Sequence, residues 1–225
     1  THFTILETGF GLGNNFLATW HAWRQDPARS ERLHFVSFEA HPFHARDLTT
    51  MLAATPASLR ALADQLLEQW PYLLPGLHRL EFEQGAVTLT LYFGDIQRGV
   101  RAMSCHADAF YLDGFAPRVN PAMWSKSVFG QLVRMAAPGA TAATWCAASQ
   151  VRRDLQDSGF LVKRVPGFGF KRQMTQAVLR DNLGVTYKKT PTQPVCIIGG
   201  GIAGAAVAFS LAQRGIASTV YDPVF

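Results

Sequence analysis

Residues 6–16 read LETGFGLGNNF, a glycine-rich stretch whose pattern indicates the fold class. Gly9, Gly11 and Gly13 lie between a short apolar segment (3–7) that predicts a strand and a segment (15–24) that predicts a helix. Glycine lets the backbone approach a ligand without a Cβ clash, and the start of a helix offers free N–H groups. Taken alone, a GxGxG loop is weak evidence for a nucleotide or nucleoside site, because a tight structural turn has the same pattern.

Strand and helix patterns alternate along the chain after this loop. Strands are predicted at 33–38, 87–93, 109–112 and 141–146, and helices at 42–54, 57–69, 127–136 and 149–158. This alternation predicts an α/β fold, with a Rossmann-like parallel sheet covered by helices on both faces. The last two strands, 160–165 and 176–179, have a short connection. We therefore predict that they pair antiparallel, since a parallel crossover needs about a dozen residues or more.

Three acidic residues follow successive predicted strands: Glu39, Asp95 and Asp113. The carboxyl ends of parallel strands are where open α/β sheets bind ligands. Glu39 is a candidate acceptor for ribose hydroxyls, and Asp95 for an adenine amino group. The glycine loop has no Lys or Arg for phosphate groups, so a nucleoside with little negative charge, such as S-adenosylmethionine, is the better candidate. The alternative for each carboxylate is a helix N-cap or a solvated loop position.

Residues 110–117 read FYLDGFAP, which resembles the acid-aromatic-proline loop of methyltransferases that act on amines. An acceptor oxygen there orients the attacking nitrogen, and an aromatic face holds the flat base beside it. Asp113 is the candidate orienting carboxylate, and Phe115 or Phe110 the candidate stacking group. The alternative for Phe110 and Leu112 is that both are core residues of the strand.

A second glycine loop, 198–204 (IGGGIAG), follows a predicted strand at 195–198 and opens a helix at 203–214. Its GxGxxG pattern, with Asp222 at the end of the next strand, is the dinucleotide fingerprint in its usual context. Gly199, Gly201 and Gly204 admit the pyrophosphate, and Asp222 meets a ribose hydroxyl. This unit alone does not distinguish FAD from NAD. The polar stretch before it predicts a linker at 182–194 between a first domain, 1–181, and a truncated second domain, 195–225.

Composition limits the class of protein. The chain has 225 residues, 48% of them hydrophobic and 16% charged, which is typical of a soluble globular protein. Three cysteines without CxxC spacing argue against a disulfide framework and a zinc site and favour a reducing cytoplasm. His41 and His44 have no evident third ligand, so we predict no metal. No signal peptide or membrane segment is visible, and the first residue, Thr1, suggests a trimmed amino terminus.

The net charge of +5 is concentrated in one segment, where residues 152–189 contain nine Lys or Arg and three Asp. Around an aromatic stretch with Phe168 and Phe170, these cations are candidates for tracking a nucleic-acid backbone. The alternative is an ordinary solvated face. The candidate nucleic-acid residues are Arg152, Arg153, Lys163, Arg164, Lys171 and Arg172.

Six segments together resemble the family of bifunctional tRNA 5-methylaminomethyl-2-thiouridine biosynthesis proteins. They are 6–16 (LETGFGLGNNF), 33–39 (LHFVSFE), 93–96 (FGDI), 111–124 (YLDGFAPRVNPAMW), 167–174 (GFGFKRQM) and 196–204 (CIIGGGIAG). The resemblance implies a methyltransferase domain that transfers a methyl group from S-adenosylmethionine to the amine of 5-aminomethyl-2-thiouridine at the tRNA wobble position. It also implies an FAD domain that first removes the carboxymethyl group of the precursor, and a tRNA partner for the basic segment.

The resemblance also implies roles for particular residues. It implies S-adenosylmethionine contacts for Glu7, Gly9, Phe10, Gly11, Gly13, Asn15, Glu39 and Asp95, FAD contacts for Gly199, Gly201, Gly204 and Asp222, and a catalytic pair, Asp113 and Phe115. We expect a cytoplasmic monomer. Two alternatives remain open: an FAD- or NAD-dependent oxidoreductase with two dinucleotide loops, and a non-catalytic tRNA-binding module.

Overall fold

A mixed eight-stranded sheet organises the first of two units in the chain, which we describe from a computed structural model. The structure describes residues 1–167, 169, 171–184 and 195–223. The first unit comprises Thr1–Phe82 and Ala86–Thr186, and the second Glu83–Gly85 and Tyr187–Phe225. Phe168, Phe170 and most of the predicted linker (185–194) lie outside the described residues.

The strand order of the first unit is β3-β4-β2-β1-β5-β6-β8-β7. Strands β1, β2, β4, β5 and β6 run parallel, whereas β3 is antiparallel to β4, and β8 is antiparallel to both β6 and β7. The strands are β1 (His2–Glu7), β2 (Arg32–Glu39), β3 (Gly76–Phe82), β4 (Val87–Phe93), β5 (Ala107–Tyr111), β6 (Ala136–Thr144), β7 (Phe160–Pro166) and β8 (Gln173–Leu179). The predicted α/β fold class and the closing antiparallel pair are confirmed.

Six helices connect these strands: α1 (Asn14–Gln25), α2 (Ala45–Leu52), α3 (Ala57–Glu68), α4 (Ile96–Ala102), α5 (Lys126–Arg134) and α6 (Ser149–Asp157). Local sequence explains several of their starts. Gly13 precedes α1 in a left-handed conformation, with φ 78°. The side chains of Asp95 and Ser125 accept hydrogen bonds from backbone N–H groups in the first turns of α4 and α5. Such caps satisfy N–H groups that have no partner within the helix.

Two apolar clusters cover the two faces of the sheet, and neighbouring residues of one strand contribute to different clusters. Ile5 and Phe35 belong to the cluster that contains Phe16 and Trp20 of α1. Their neighbours Leu6 and Val36, for example, belong to the cluster that contains residues of α4, α5 and α6. Successive side chains of a strand point to opposite faces, so these short apolar strands are buried on both sides.

Three features of the first unit differ from the prediction. β3 and α4 were not predicted, and β6 begins at Ala136, where a helix was expected to end. β3 is an edge strand whose side chains are partly exposed, so its apolar pattern is weak. The start of β6 contains Pro138 and Gly139 and pairs irregularly with β5, features that are unfavourable in a strand interior.

The second unit contains the predicted strand-helix-strand arrangement. β9 (Val195–Ile198) and β10 (Ser218–Tyr221) pair in parallel, and α7 (Ile202–Gln213) connects them. Within the described part of the chain, no helix has the length and apolarity needed to cross a membrane.

Candidate active site

A cavity of about 720 Å³ opens where β1, β2, β4 and β5 end. The chain leaves β1 toward β2 on one side and passes from β4 to β5 on the other, so the cavity lies at the point where the strand order reverses. Its wall consists of Thr8, Gly9, Phe10, Gly11, Leu12, Asn14, Asn15, Phe38, Glu39, Ala40, His41, Phe43, Gly94, Asp95, Ile96, Asp113, Gly114, Phe115, Asn120 and Met123. Among the described residues, this wall includes three carboxylates and neither Lys nor Arg.

The first glycine loop forms one side of the cavity, and two of its glycines face the rest of the protein. A Cβ atom on Gly9 would lie 3.0 Å from the carbonyl oxygen of Asp113, and one on Gly13 would lie 2.7 Å from the Phe10 ring. Gly11 is different, because a Cβ atom there would have no neighbour within 4 Å, and its φ of +55° disfavours other residues. Gly11 therefore leaves its side of the cavity open to a ligand.

Glu39 and Asp95 lie on the cavity wall, as expected, and both also hold backbone in place. Glu39 accepts hydrogen bonds from Gly11 N (2.8 Å) and His41 N (2.9 Å), which ties the glycine loop to the end of β2. Asp95 caps α4 by accepting a bond from Arg98 N at 3.2 Å. The N-cap alternative therefore describes one role of Asp95, and its place on the wall allows a second.

Glu7 is predicted to contact the cofactor, and in the structure it lies behind the described residues of the cavity wall. Its side chain is fully buried and accepts hydrogen bonds from Ser37 Oγ and Asn15 Nδ2, both at 2.7 Å. Burial raises the pKa of Glu7 from its ordinary value of 4.5 to about 8, and the nearby Asp113 and Glu39 add to the rise. Burial thus favours the neutral form of Glu7, and Glu7 supports Asn15, which does line the cavity.

Asp113 lies at the end of β5 and is held by three donors. Oδ1 accepts from Gly114 N at 2.7 Å and from Trp145 Nε1 at 2.9 Å, and Oδ2 accepts from Asn15 Nδ2 at 2.8 Å. Thr8 Oγ1 donates to the backbone oxygen of Asp113 at 2.7 Å. The sequence did not single out Trp145, because the contact joins strand ends that are distant in the chain.

The aromatic candidates have different surroundings. Phe115 lies at the cavity wall with 67% of its surface exposed, and Trp124 Nε1 donates to its backbone oxygen at 2.8 Å. Phe110 is buried in the core, in agreement with the structural alternative. Phe10 is also mostly buried, and its ring stacks on Trp70 with centroids 5.8 Å apart. Asn120 and several other wall residues were not predicted, because their residue types alone do not indicate a binding role.

The predicted nucleic-acid residues lie on α6, β7 and the turn between β7 and β8, and most are exposed. β7 runs parallel to β6, so the turn that follows β7 lies at the carboxyl ends of the parallel strands, as the cavity does. Lys171 in this turn places Nζ 4.7 Å from the Trp145 ring centroid. Arg152 differs, because it is only partly exposed and its Nε atom is buried without a hydrogen-bond partner. Arg153 is exposed, and Lys163, Arg164 and Arg172 complete the exposed set.

In the second glycine loop, Gly199 and Gly204 occupy positions that disfavour other residues. A Cβ atom on Gly204 would lie 1.8 Å from the carbonyl oxygen of Gly199, so α7 approaches β9 too closely for any other residue. Gly199 has a positive φ of 99°, and Gly201 precedes α7 in an extended conformation. Asp222 Oδ2 accepts from Gly200 N at 2.5 Å. Within the part of the chain that the structure describes, no three His, Cys, Asp or Glu are grouped to hold a metal ion.

Comparison with known proteins supports the interpretation of the first unit. A protein of Aromatoleum aromaticum is 50% identical to this chain, and one of Cupriavidus necator is 51% identical. Both are named tRNA 5-methylaminomethyl-2-thiouridine biosynthesis bifunctional protein MnmC. Each match covers 98% of this chain and 35% or 34% of the relative. The chain thus spans about a third of the length of these relatives, and the resemblance seen in its motifs is confirmed.

A solved structure supports the fold. The crystal structure of MNMC2 from Aquifex aeolicus matches with a TM-score of 0.65 at 24% identity, over 83% of this chain and 55% of that one. A family model described as S-adenosyl-L-methionine-dependent methyltransferase matches residues 57–180, more than half of the chain. The match includes Asp95, Asp113 and Trp145, whereas the first glycine loop (6–16) precedes the matched residues and follows β1 of the same sheet. The chain therefore belongs to this family of S-adenosyl-L-methionine-dependent methyltransferases.

Proposed function

We propose that this protein methylates the primary amine of 5-aminomethyl-2-thiouridine at the wobble position of tRNA. The observation that carries the proposal is the Asp113 carboxylate, fixed by three donors at the wall of a cavity that also includes the first glycine loop. The relatives named for the biosynthesis of this nucleoside support the choice of substrate.

The cavity fits S-adenosylmethionine in size and in chemistry. Ligand pockets typically have volumes of about 300–1,000 Å³, and this one has about 720 Å³. Glu39 and Asp95 offer acceptors for ribose hydroxyls and an adenine amino group. A wall with carboxylates and without Lys or Arg among the described residues suits a ligand with a sulfonium and an ammonium group. The same wall is unfavourable for a pyrophosphate, which argues against the oxidoreductase alternative at this loop.

The reaction requires orientation of an uncharged amine. S-adenosylmethionine supplies a methyl group on a positively charged sulfur, whose C–S bond breaks as the amine lone pair forms a C–N bond, leaving neutral S-adenosylhomocysteine. Asp113 accepts a hydrogen bond from the amine and thereby directs its lone pair toward the methyl carbon. The product nitrogen is positively charged, and its proton leaves to Asp113 or to water. Phe115, exposed at the mouth, offers a face for the pyrimidine ring.

The basic residues of the first unit supply a surface for the tRNA backbone. The turn with Lys171 and Arg172 lies at the same end of the strands as the cavity, so a tRNA segment bound there lies beside Asp113. The second glycine loop supports a further part of the proposal, in which the complete protein binds FAD and removes the carboxymethyl group of the precursor. We also propose that the enzyme works in the cytoplasm, where tRNA is found, as a monomer.

Methyl transfer into defined tRNA tests the proposed function. The protein is incubated with methyl-labelled S-adenosylmethionine and tRNA that carries 5-aminomethyl-2-thiouridine, and the nucleosides are separated and identified by mass. We expect label in 5-methylaminomethyl-2-thiouridine only. The same tRNA without the aminomethyl group is the control. Absence of label from the first tRNA, or equal label in both, would contradict the proposal.

A further inference from the structure

Asp113 has almost no free hydrogen-bonding capacity left. An ionised carboxylate offers about four lone-pair positions. In this protein Gly114 N, Trp145 Nε1 and Asn15 Nδ2 occupy three of them. One position therefore remains for a substrate N–H group. Two of the three donors are side chains from other elements, so the direction of the remaining position depends on how firmly they are held.

The backbone on both sides of Trp145 is fixed by buried hydrogen bonds. Thr144 Oγ1 accepts from Cys146 N at 3.0 Å, and Thr175 Oγ1 of β8 donates to the Cys146 carbonyl oxygen at 2.8 Å. Thr144 and Thr175 also face each other where β6 and β8 pair. The antiparallel strand β8 thus holds the end of β6, and the backbone from which the Trp145 side chain extends is fixed in position.

The indole ring of Trp145 also contacts a cationic side chain, that of Lys171. Lys171 Nζ lies over the ring at 4.7 Å from its centroid, in the geometry of a cation–π contact. A cation on the ring face draws electron density from the indole and makes its N–H a better donor. Trp145 remains 37% exposed, so its hydrogen bond to Asp113 is accessible to solvent.

We propose that Trp145 is a positioning residue for methyl transfer: its indole N–H fixes the Asp113 carboxylate so that one acceptor position faces the substrate amine. This role rests on the proposed function, because it deepens the assignment of Asp113. Trp145 is not among the described residues of the cavity wall. Its loss is therefore expected to change the rate of transfer and to leave cofactor binding unchanged.

Trp145→Phe tests this role because it removes one N–H group and retains a flat ring for Lys171. A hydrogen bond to a charged group has a strength that corresponds to a rate change of about tenfold to a hundredfold. We expect kcat to fall by this factor, with the Kd of S-adenosylmethionine and the melting temperature unchanged. In an Asp113→Asn background, the same substitution is expected to cause little further loss, because the two residues act together.

Trp23→Phe is the matched control, since the Trp23 indole donates to the Ser30 carbonyl oxygen at 2.9 Å, away from the cavity. It should keep the wild-type kcat. An active wild type with an unchanged kcat in Trp145→Phe overturns the inference. An inactive wild type overturns the proposed function instead.

A measurement on the hydrogen bond itself does not depend on activity. The protein has five Trp, so five indole N–H signals are expected in a nitrogen-15 spectrum, and Trp145→Phe identifies one of them. We expect Asp113→Asn to shift this signal and to accelerate its exchange with solvent by about tenfold. A signal that is unaffected by Asp113→Asn contradicts the inference, whatever the result of the kinetic test.

Discussion

At the scale of single residues, Asn15 joins two carboxyl groups that are in different environments. Its Nδ2 atom donates to Glu7 Oε1 at 2.7 Å and to Asp113 Oδ2 at 2.8 Å. Glu7 is fully buried, whereas Asp113 reaches the cavity wall. Because burial favours the neutral form of Glu7, the electrostatic repulsion between the two carboxyl groups beside Asn15 is reduced.

Glu7→Gln is expected to make the stability of the protein less dependent on pH. The folded protein keeps the Glu7 proton up to a pKa of about 8, while the unfolded chain releases it near 4.5. The stabilising contribution is complete below the unfolded pKa and is lost as pH rises toward 8. The loss is of the order of a few kcal/mol. Ser37 and Asn15 retain partners in the variant, because an amide both accepts and donates.

Thermal unfolding between about pH 5 and about pH 9 measures this effect. We expect the melting temperature of wild type to fall more over this range than that of Glu7→Gln. Glu68→Gln, an exposed change on α3, controls for the loss of a carboxyl group. Asp113 and Glu39, which lie near Glu7, are present in both proteins. Parallel curves for wild type and Glu7→Gln would show that Glu7 is not held neutral.

Asp113→Ala separates an enzyme from a binding module. If Asp113 orients the amine, its loss lowers kcat by about a hundredfold or more. The affinity for tRNA should change little, because the backbone contacts are made elsewhere. Methyl incorporation and tRNA binding are measured on the same preparation, with the exposed Asp64→Ala on α3 as control. Unchanged methylation in Asp113→Ala would remove Asp113 from the reaction.

At the scale of elements, α4 contacts the sheet through a glycine. Gly99 is buried, and a Cβ atom there would lie 2.6 Å from the Phe38 ring and 2.7 Å from the Tyr92 ring. This close approach sets the position of α4, whose N-cap, Asp95, lies on the cavity wall. A tight helix contact thus positions one of the carboxylates of the cavity wall.

Gly99→Ala and Gly130→Ala make a matched pair. Both replace a helical glycine, but a Cβ atom on Gly130 of α5 has no neighbour within 4 Å. We expect Gly99→Ala to lower the free energy of unfolding by about 1–3 kcal/mol through overpacking. Gly130→Ala should raise it by about 0.5–1 kcal/mol, because alanine favours the helix. Urea unfolding measures both free energies. Equal changes in the two variants would show that the Phe38 and Tyr92 rings move aside for the Gly99→Ala methyl group at little cost.

Most elements were predictable from the sequence because they have strong local signals. The buried parallel strands are short apolar runs, and the glycine loops have fixed spacing. β3 and α4 were missed because one is a half-exposed edge strand and the other has only seven residues, two turns at most. In the site, Glu39 and Asp95 were found from their positions after strands. Trp145 and the position of Glu7 behind the wall depend on contacts between distant segments, which no local pattern contains.

At the scale of the whole first unit, topology brings the basic turn to the cavity. β7 and β8 add to the sheet beyond β6, so their connecting turn is at the edge where β1 and β5 end. The double substitution Lys171→Ala with Arg172→Ala is expected to weaken tRNA binding about tenfold and to reduce its dependence on salt by about two units of slope. S-adenosylmethionine affinity should stay unchanged.

Arg24→Ala with Arg29→Ala is the control for this surface, since α1 runs away from the cavity and ends at Gln25 near these residues. This double substitution also removes two positive charges, but at the opposite end of the parallel strands from the cavity. Binding is measured over a range of salt concentrations for both double variants. Equal losses would indicate a general effect of net charge rather than a defined tRNA surface.

A crystal structure of the protein with S-adenosylmethionine bound would show which side chains contact the cofactor. We expect the adenosine to lie beside Glu39 and Asp95, and the sulfonium methyl group to point toward the free side of the Asp113 carboxylate. Placement of the cofactor outside this cavity, or with its methyl group directed away from Asp113, would contradict this expectation.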